Sequence, residues 1–152
     1  MNRCRIPPSE ASLEARIFIT LQKAADALDL EAEQLLKPHG LTSTQYNVLR
    51  ILRGAEPRGL ACSVIGERMI SHDPDMTRLL DRMEKRGLIT RERQTDDRRV
   101  VKTRITPRGL ALLKSLDQPV RELHKRQFRH MSAARLHGLA ELLEEVRAYE
   151  AR

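Results

Sequence analysis

The stretch from Leu60 to Gly109 decides the fold, because three consecutive segments in it carry three different structural patterns. The first, LACSVIGERM, has the apolar spacing of a short amphipathic helix. The second, ISHDPDMTRLLDRMEKRGLI, predicts a helix that opens on Asp73-Pro74 and ends at Gly87. The third, TRERQTDDRRVVKTRITPRG, predicts two β-strands joined by a polar turn over residues 94–98. Two helices followed by a basic hairpin are typical of a winged helix, a unit that offers a helix to the major groove of duplex DNA.

Long amphipathic helices are predicted on both sides of this stretch. Ser9 or Ser12 caps a first helix that runs to about Leu36, and Thr42 or Ser43 caps the next one. After the hairpin, Thr106-Pro107 opens a further helix, in which we expect a kink or break at Pro119, and Ser132 caps a last one. The fold class is therefore mainly α with a small β-hairpin wing. We divide the chain into a polar arm (1–10), a winged helix-turn-helix domain (41–106) and a helical dimerisation region (11–36 and 107–152).

The flanking helices carry more apolar surface than one small winged helix can cover, which predicts a homodimer. The apolar residues that we assign to the dimer interface are Leu13, Ile17, Leu21, Leu28, Leu139, Leu143 and Val146. A two-fold dimer brings two recognition helices into successive major grooves about 34 Å apart, and this geometry matches a palindromic operator.

Positive charge is concentrated on the hairpin. The chain has a net charge of +7, and residues 84–108 hold nine Lys or Arg against four acidic residues, whereas residues 12–36 hold two against five. This distribution indicates a local site for a polyanion. Aromatic residues make up only 3% of the chain, which argues against single-stranded nucleic acid, since that ligand is usually stacked on aromatic side chains.

Other classes of protein find little support in the sequence. No apolar run approaches a membrane span and no signal peptide is recognisable, so we expect a cytoplasmic protein. Neither the two cysteines, Cys4 and Cys62, nor the five histidines have the spacing of a metal site, so we expect no metal and no cofactor. There is no catalytic motif, and we do not expect an enzyme.

Two motifs resemble the multiple antibiotic resistance regulator (MarR) family. Asp97-x-Arg99 followed by Thr103, Ile105 and Thr106 is similar to the family's wing signature, with Thr103 where an aliphatic residue is usual. Upstream, DMTRLLDRMEKRGLI from Asp75 resembles the family's recognition helix and its exit. The resemblance covers nearly the whole chain. It implies a homodimer with interleaved terminal helices, acting as a repressor that a small phenolic or aromatic acid releases from DNA.

The N-terminal part of the recognition helix and the turn before it supply the first candidate DNA contacts. Arg78 suits a bidentate contact to guanine, while Asp75 suits capping, orienting Arg78, or accepting from a cytosine amino group. The candidates here are Ser71, His72, Asp75, Thr77, Arg78 and Arg82.

The hairpin supplies the second set. We expect Asp97 to hold Arg99 and fix the turn, which leaves Arg98 and Arg99 at the tip for the minor groove. Arg91, Arg93, Lys102 and Arg104 alternate along the strands, so only one set can face DNA, and the period does not say which. Arg93 and Lys102 complete the candidate list.

The location of an effector pocket and a second candidate function are not decided by these motifs. The resemblance implies a pocket for an aromatic ligand, for which Leu36, His39, Tyr46, Arg50 and Leu113 are the candidate positions, although each of them also suits an ordinary core or surface residue, and that interpretation is favoured. The alternative function is a winged helix that binds another protein, with the basic hairpin docking an acidic partner. The presence of both the tip arginines and Arg78 favours DNA over that alternative.

Overall fold

The computed structural model describes residues 12–93 and 101–149 of the chain. Its helices are α1 (Leu13–Leu36), α2 (Ser43–Gly54), α3 (Cys62–Arg68), α4 (Met76–Lys85), α5 (Pro107–Phe128) and α6 (Ala133–Arg147). Its strands are β1 (Leu60–Ala61), β2 (Ile89–Arg93) and β3 (Val101–Ile105), and a short 3-10 helix, Lys37–His39, follows α1. The predicted fold class, mainly helical with a small β-hairpin, is confirmed.

Side-chain caps fix where several helices begin. The Ser12 hydroxyl accepts a hydrogen bond from the Ala15 N–H and starts α1. Thr42 and Gln45 form a reciprocal capping box at the start of α2. Ser132 accepts from the Arg135 N–H at the start of α6. Where the sequence left two capping residues open, the structure thus selects Ser12 and Thr42.

The sheet has one strand more than the predicted hairpin. Its antiparallel order is β1-β3-β2, and Leu60 lies opposite Thr103 while Ala61 lies opposite Lys102. No strand was predicted at Leu60, because a two-residue strand has no alternation to detect. The extra strand joins the start of α3 to the hairpin.

Fully buried aliphatic side chains from helices and strands form the core of the winged helix. They include Val48, Leu49, Leu52, Ile65, Leu80, Met83, Leu88 and Ile89, each at most 2% exposed. The chain divides into a first compact unit that ends at Leu113 and a second that begins at Lys114. In the second unit, Leu116 and Leu123 are buried, whereas α6 has no buried residue. Within the part of the chain that the structure describes, no helix combines the length and apolarity of a membrane span.

Two helix predictions need correction. The recognition helix α4 begins at Met76, not at Asp73-Pro74, because the Asp73 carboxylate accepts from the Asp75 N–H at 2.8 Å and holds a turn there. Of the two alternatives expected at Pro119, a kink or a break, the break is wrong, because α5 continues through this residue. Pro119 is exposed while Leu116 and Leu123 on either side of it are buried, so burial keeps both halves helical despite the lost hydrogen bond.

Candidate nucleic-acid interface

The start of α4 brings a carboxylate and a guanidinium together at the surface. Asp75 caps the helix, since its Oδ1 accepts from the Arg78 N–H at 3.4 Å. Its other oxygen lies 3.4 Å from Arg78 Nε, and the Arg78 side chain stays 79% exposed. Asp75 therefore both caps the helix and orients Arg78, two of the roles that the sequence suggested for it. The guanidinium keeps most of its donors free for a ligand.

The two sides of α4 differ in burial, as the spacing of its apolar residues predicts. Leu79, Leu80 and Met83 are buried, and Met76 is half-buried. The polar candidates on the helix and in the turn before it are exposed: Ser71, His72, Asp75, Thr77, Arg78 and Arg82. The apolar side thus anchors the helix and the polar side is available to a partner.

The turn before α4 is tied to α2 by a contact that the sequence did not reveal. Asn47 Oδ1 accepts from the Ile70 N–H at 2.9 Å. The partners are 23 residues apart, so no local pattern signals the bond. It fixes the backbone of the turn that carries Ser71 and His72.

The end of α4 is anchored by Arg86 and by a glycine with a left-handed backbone. Gly87 has a φ of 69°, and Leu88 N–H donates to the Met83 carbonyl at 3.1 Å, closing the last turn. Arg86 Nη1 donates to the Gly40 carbonyl at 2.6 Å and lies 3.4 Å from Gln45 Oε1. The exit of the recognition helix is thereby linked to the loop before α2.

A cluster of one arginine and two carboxylates joins the hairpin to α4. Arg91 donates from Nε to Glu84 Oε2 at 2.9 Å and from Nη2 to both Glu84 and Asp81, and its backbone N–H donates to Glu84 Oε1 at 3.1 Å. The hydrogen bond to Glu84, aided by Asp81, raises the pKa of Arg91 above its ordinary value against the opposing effect of burial. Arg91 is therefore engaged within the protein, which removes it from the open set of hairpin cations.

The hairpin register separates two of the predicted DNA contacts. Arg93 lies opposite Val101, and Lys102 lies opposite Glu92. Residues that are directly opposite share a face and successive residues alternate, so Arg93 and Lys102 lie on opposite faces of the hairpin. The predicted tip residues Asp97, Arg98 and Arg99 lie outside the described residues.

The five predicted pocket residues have unlike surroundings. Leu36 and Leu113 are 2% and 0% exposed, Tyr46 is half-buried, and His39 and Arg50 are exposed. The Arg50 guanidinium carbon lies 6.0 Å from the centre of the Tyr46 ring, at the outer limit of a cation–π contact. Among the five predicted pocket residues, Arg50 and Tyr46 thus place a charged group near an aromatic ring.

The predicted interface residues leave apolar surface open on α1 and α6. Leu13 is 63% exposed and Ile17 47% on α1, and Leu143 is 41% exposed and Val146 53% on α6. Leu21, Leu28 and Leu139 are half-buried. Each helix, taken by itself, thus presents aliphatic side chains to solvent.

Comparison with known proteins places this architecture in a family. The sequence model described as "MarR family" matches residues 41–101. The homoprotocatechuate degradative operon repressor of Escherichia coli is 29% identical over 129 residues, which cover 85% of this chain and 86% of the relative.

Solved structures agree with this match. A MarR transcription factor from Planctomyces limnophilus is 40% identical, with a TM-score of 0.69 and coverage of 88% of this chain and 97% of that one. A mutant MarR from Escherichia coli, solved in complex with operator DNA, is 25% identical, with a TM-score of 0.78 and coverage of 90% and 99%. The winged helix agrees with these similarities in sequence and structure. The chain therefore belongs to the MarR family of DNA-binding transcriptional regulators.

Proposed function

We propose that this regulator is a homodimeric repressor that binds a palindromic operator and is released by a small aromatic ligand. The observation that carries the proposal is the exposed polar side of α4, on which Asp75 holds Arg78 at the start of a helix otherwise anchored by buried side chains. The similar Escherichia coli protein is named as an operon repressor, which supports repression over activation.

In this proposal α4 makes the base contacts and the hairpin makes the backbone and minor-groove contacts. Arg78 would bind guanine, with Thr77 and Arg82 beside it and Ser71 and His72 donating to phosphate. Arg98 and Arg99 at the hairpin tip stay predictions from the sequence. Since Arg93 and Lys102 lie on opposite faces, we propose that only one of them contacts the same DNA backbone as Arg98 and Arg99.

The proposed dimer is supported by the exposed aliphatic residues of α1 and α6. Apolar area exposed by one chain and buried in a dimer contributes about 25 cal/mol per Å². Because a single winged-helix unit buries little DNA surface, tight specific binding gains from a second copy on the other half-site. We accordingly assign residues 41–106 to DNA binding and the terminal helices to dimerisation.

The proposed effector is a small aromatic acid. Arg50 beside Tyr46 offers a cation for a carboxylate next to an aromatic ring, and this pair is the best supported of the predicted pocket residues. Titration of hydroxylated aromatic acids into the protein–DNA complex tests it. Release by such an acid, lost in the Arg50→Ala variant, is the expected result, while equal release in both proteins would remove Arg50 from the site.

The second candidate, an acidic protein partner docked on the hairpin, is not favoured. The relatives found are named as regulators and repressors, and one of them is solved with operator DNA. The proposal includes no catalytic activity and a cytoplasmic site of action, where an operator is accessible.

Selection of duplexes from a random-sequence library tests the proposed function. We expect enrichment of a palindrome whose half-sites lie about one helical turn apart. Placing that palindrome over the promoter of a reporter should lower its expression when the protein is present. If no duplex is enriched over bulk DNA at moderate salt, the proposal fails.

A further inference from the structure

The turn before α4 carries an exposed isoleucine that neither the protein core nor the proposed dimer uses. Ile70 is 85% exposed, the highest value among the large apolar side chains that the structure describes. The other strongly exposed aliphatic residues lie on the terminal helices α1 and α6. Ile70 thus stands apart from the apolar surface assigned to the second copy.

The position of Ile70 is fixed by its backbone. Its N–H donates to Asn47 Oδ1 at 2.9 Å, so the residue is held against α2 while its side chain remains in solvent. The next two residues, Ser71 and His72, are exposed as well. Ile70 therefore belongs to the same surface turn as two of the candidate DNA contacts.

The chemistry of the major groove restricts what an aliphatic side chain can bind there. Most groups on the base edges are hydrogen-bond donors or acceptors, and the apolar group is the 5-methyl of thymine. An isoleucine side chain has no polar atom with which to contact a phosphate or a polar group of a base. Burying it against a methyl group gains hydrophobic free energy without leaving a polar group unpaired.

We propose that Ile70 contacts a thymine methyl group in each half-site and so specifies thymine at one position of the operator. The inference rests on the proposed function, because it requires α4 and its preceding turn to enter the major groove. It adds an apolar determinant to the polar contacts that are proposed for Arg78. Loss of the side chain should leave the fold intact, since an exposed group fills no cavity in the core.

The test combines a protein variant with a modified base. Each thymine of the palindrome selected from the random library is replaced in turn by deoxyuridine, which lacks only the methyl group. For the wild-type protein we expect one symmetric pair of positions at which deoxyuridine weakens binding by about three- to tenfold. Ile70→Ala should bind the thymine duplex about tenfold more weakly and should not distinguish thymine from deoxyuridine at that position.

Leu30→Ala is the matched control, since Leu30 is a 57% exposed aliphatic residue on α1 outside the predicted interface set. It should retain wild-type affinity and the wild-type response to deoxyuridine. If every thymine-to-deoxyuridine ratio is the same for the wild type and Ile70→Ala, this inference is overturned while the proposed function stands. A selection that enriches no duplex would overturn the proposed function, and this inference with it.

Discussion

At the scale of single residues, the capped start of α4 shows how one side chain can have two structural roles. Asp75 uses one oxygen for the Arg78 N–H and the other for the Arg78 guanidinium. The pair is solvent-exposed, so it contributes little to folding stability. We propose that its role is geometric, because it limits the directions in which the Arg78 side chain can extend before DNA binds.

We expect Arg78→Ala to weaken binding to the selected operator by about 1–3 kcal/mol and to relax preference at one base pair per half-site. Binding to random duplex should fall less, because a base contact adds nothing there. Arg147→Ala is a close control, since Arg147 forms the same i,i+3 pair with Glu144 and is 81% exposed. Titrations on both duplexes provide the measurement, and an equal loss on the two would reassign Arg78 to phosphate.

At the scale of elements, the recognition helix is fixed at both ends by contacts between distant parts of the chain. Its apolar spacing and its exit at Gly87 were predictable, because helix periodicity and glycine caps are local signals. The bonds from Arg86 to Gly40 and from Asn47 to Ile70 join residues 46 and 23 positions apart and have no such signal. The strand β1 was missed for the same reason, since only pairing with β3 defines it.

The Arg91 cluster should couple the hairpin to α4 energetically. We expect a double-mutant cycle of Arg91→Ala and Glu84→Ala to give a coupling of about 1 kcal/mol, which is modest because both side chains are partly exposed. Urea unfolding of the four proteins measures it. Strictly additive effects would mean that the cluster does not hold the hairpin. The cycle of Lys125→Ala and Glu122→Ala, a more exposed pair on α5, should give a smaller coupling.

The close approach of α5 to the hairpin depends on Gly109. A Cβ there would lie within 3 Å of both the Leu88 carbonyl oxygen and Ile105 Cγ1, so Gly109→Ala should destabilise the fold by about 1–3 kcal/mol. At Gly66, inside α3, a Cβ meets nothing within 4 Å, and Gly66→Ala should stabilise by about 0.5–1 kcal/mol. Thermal or urea unfolding compares the two. If Gly109→Ala leaves the free energy of unfolding nearly unchanged, α5 accommodates the added Cβ without a loss of stability.

At the scale of the whole molecule, we propose that DNA binding and dimerisation occupy different segments but depend on each other. The sequence predicted the winged helix and the apolar stripes of the terminal helices, since both follow from periodicity. It could not say which stripe residues one chain buries by itself. The side chains of Ile17 and Leu143 are exposed in the single chain, at 47% and 41%. Substitutions at these two positions therefore test the proposed dimer most directly.

Replacing both Ile17 and Leu143 by Asp should separate the two activities. In a single chain the new carboxylates lie in solvent, so each protomer should keep its fold, although the unfolding midpoint should fall because the stabilisation by association is lost. In the proposed dimer they would be buried without partners, at a cost of several kcal/mol, and the dimer should dissociate. The monomer should lose preference for the palindrome and retain weak, salt-sensitive binding to any duplex.

Sedimentation and operator titration of this double variant decide between the two arrangements, with Leu30→Asp as the control. Leu30 is 57% exposed on α1 and lies two positions after Leu28. Because one helical turn takes 3.6 residues, two positions place Leu30 on the side of α1 opposite Leu28 and the other predicted interface residues of this helix. Leu30→Asp should remain a dimer with wild-type affinity. If the double variant is also a dimer with wild-type affinity, the terminal helices are not the interface, and the second copy must be held by another surface.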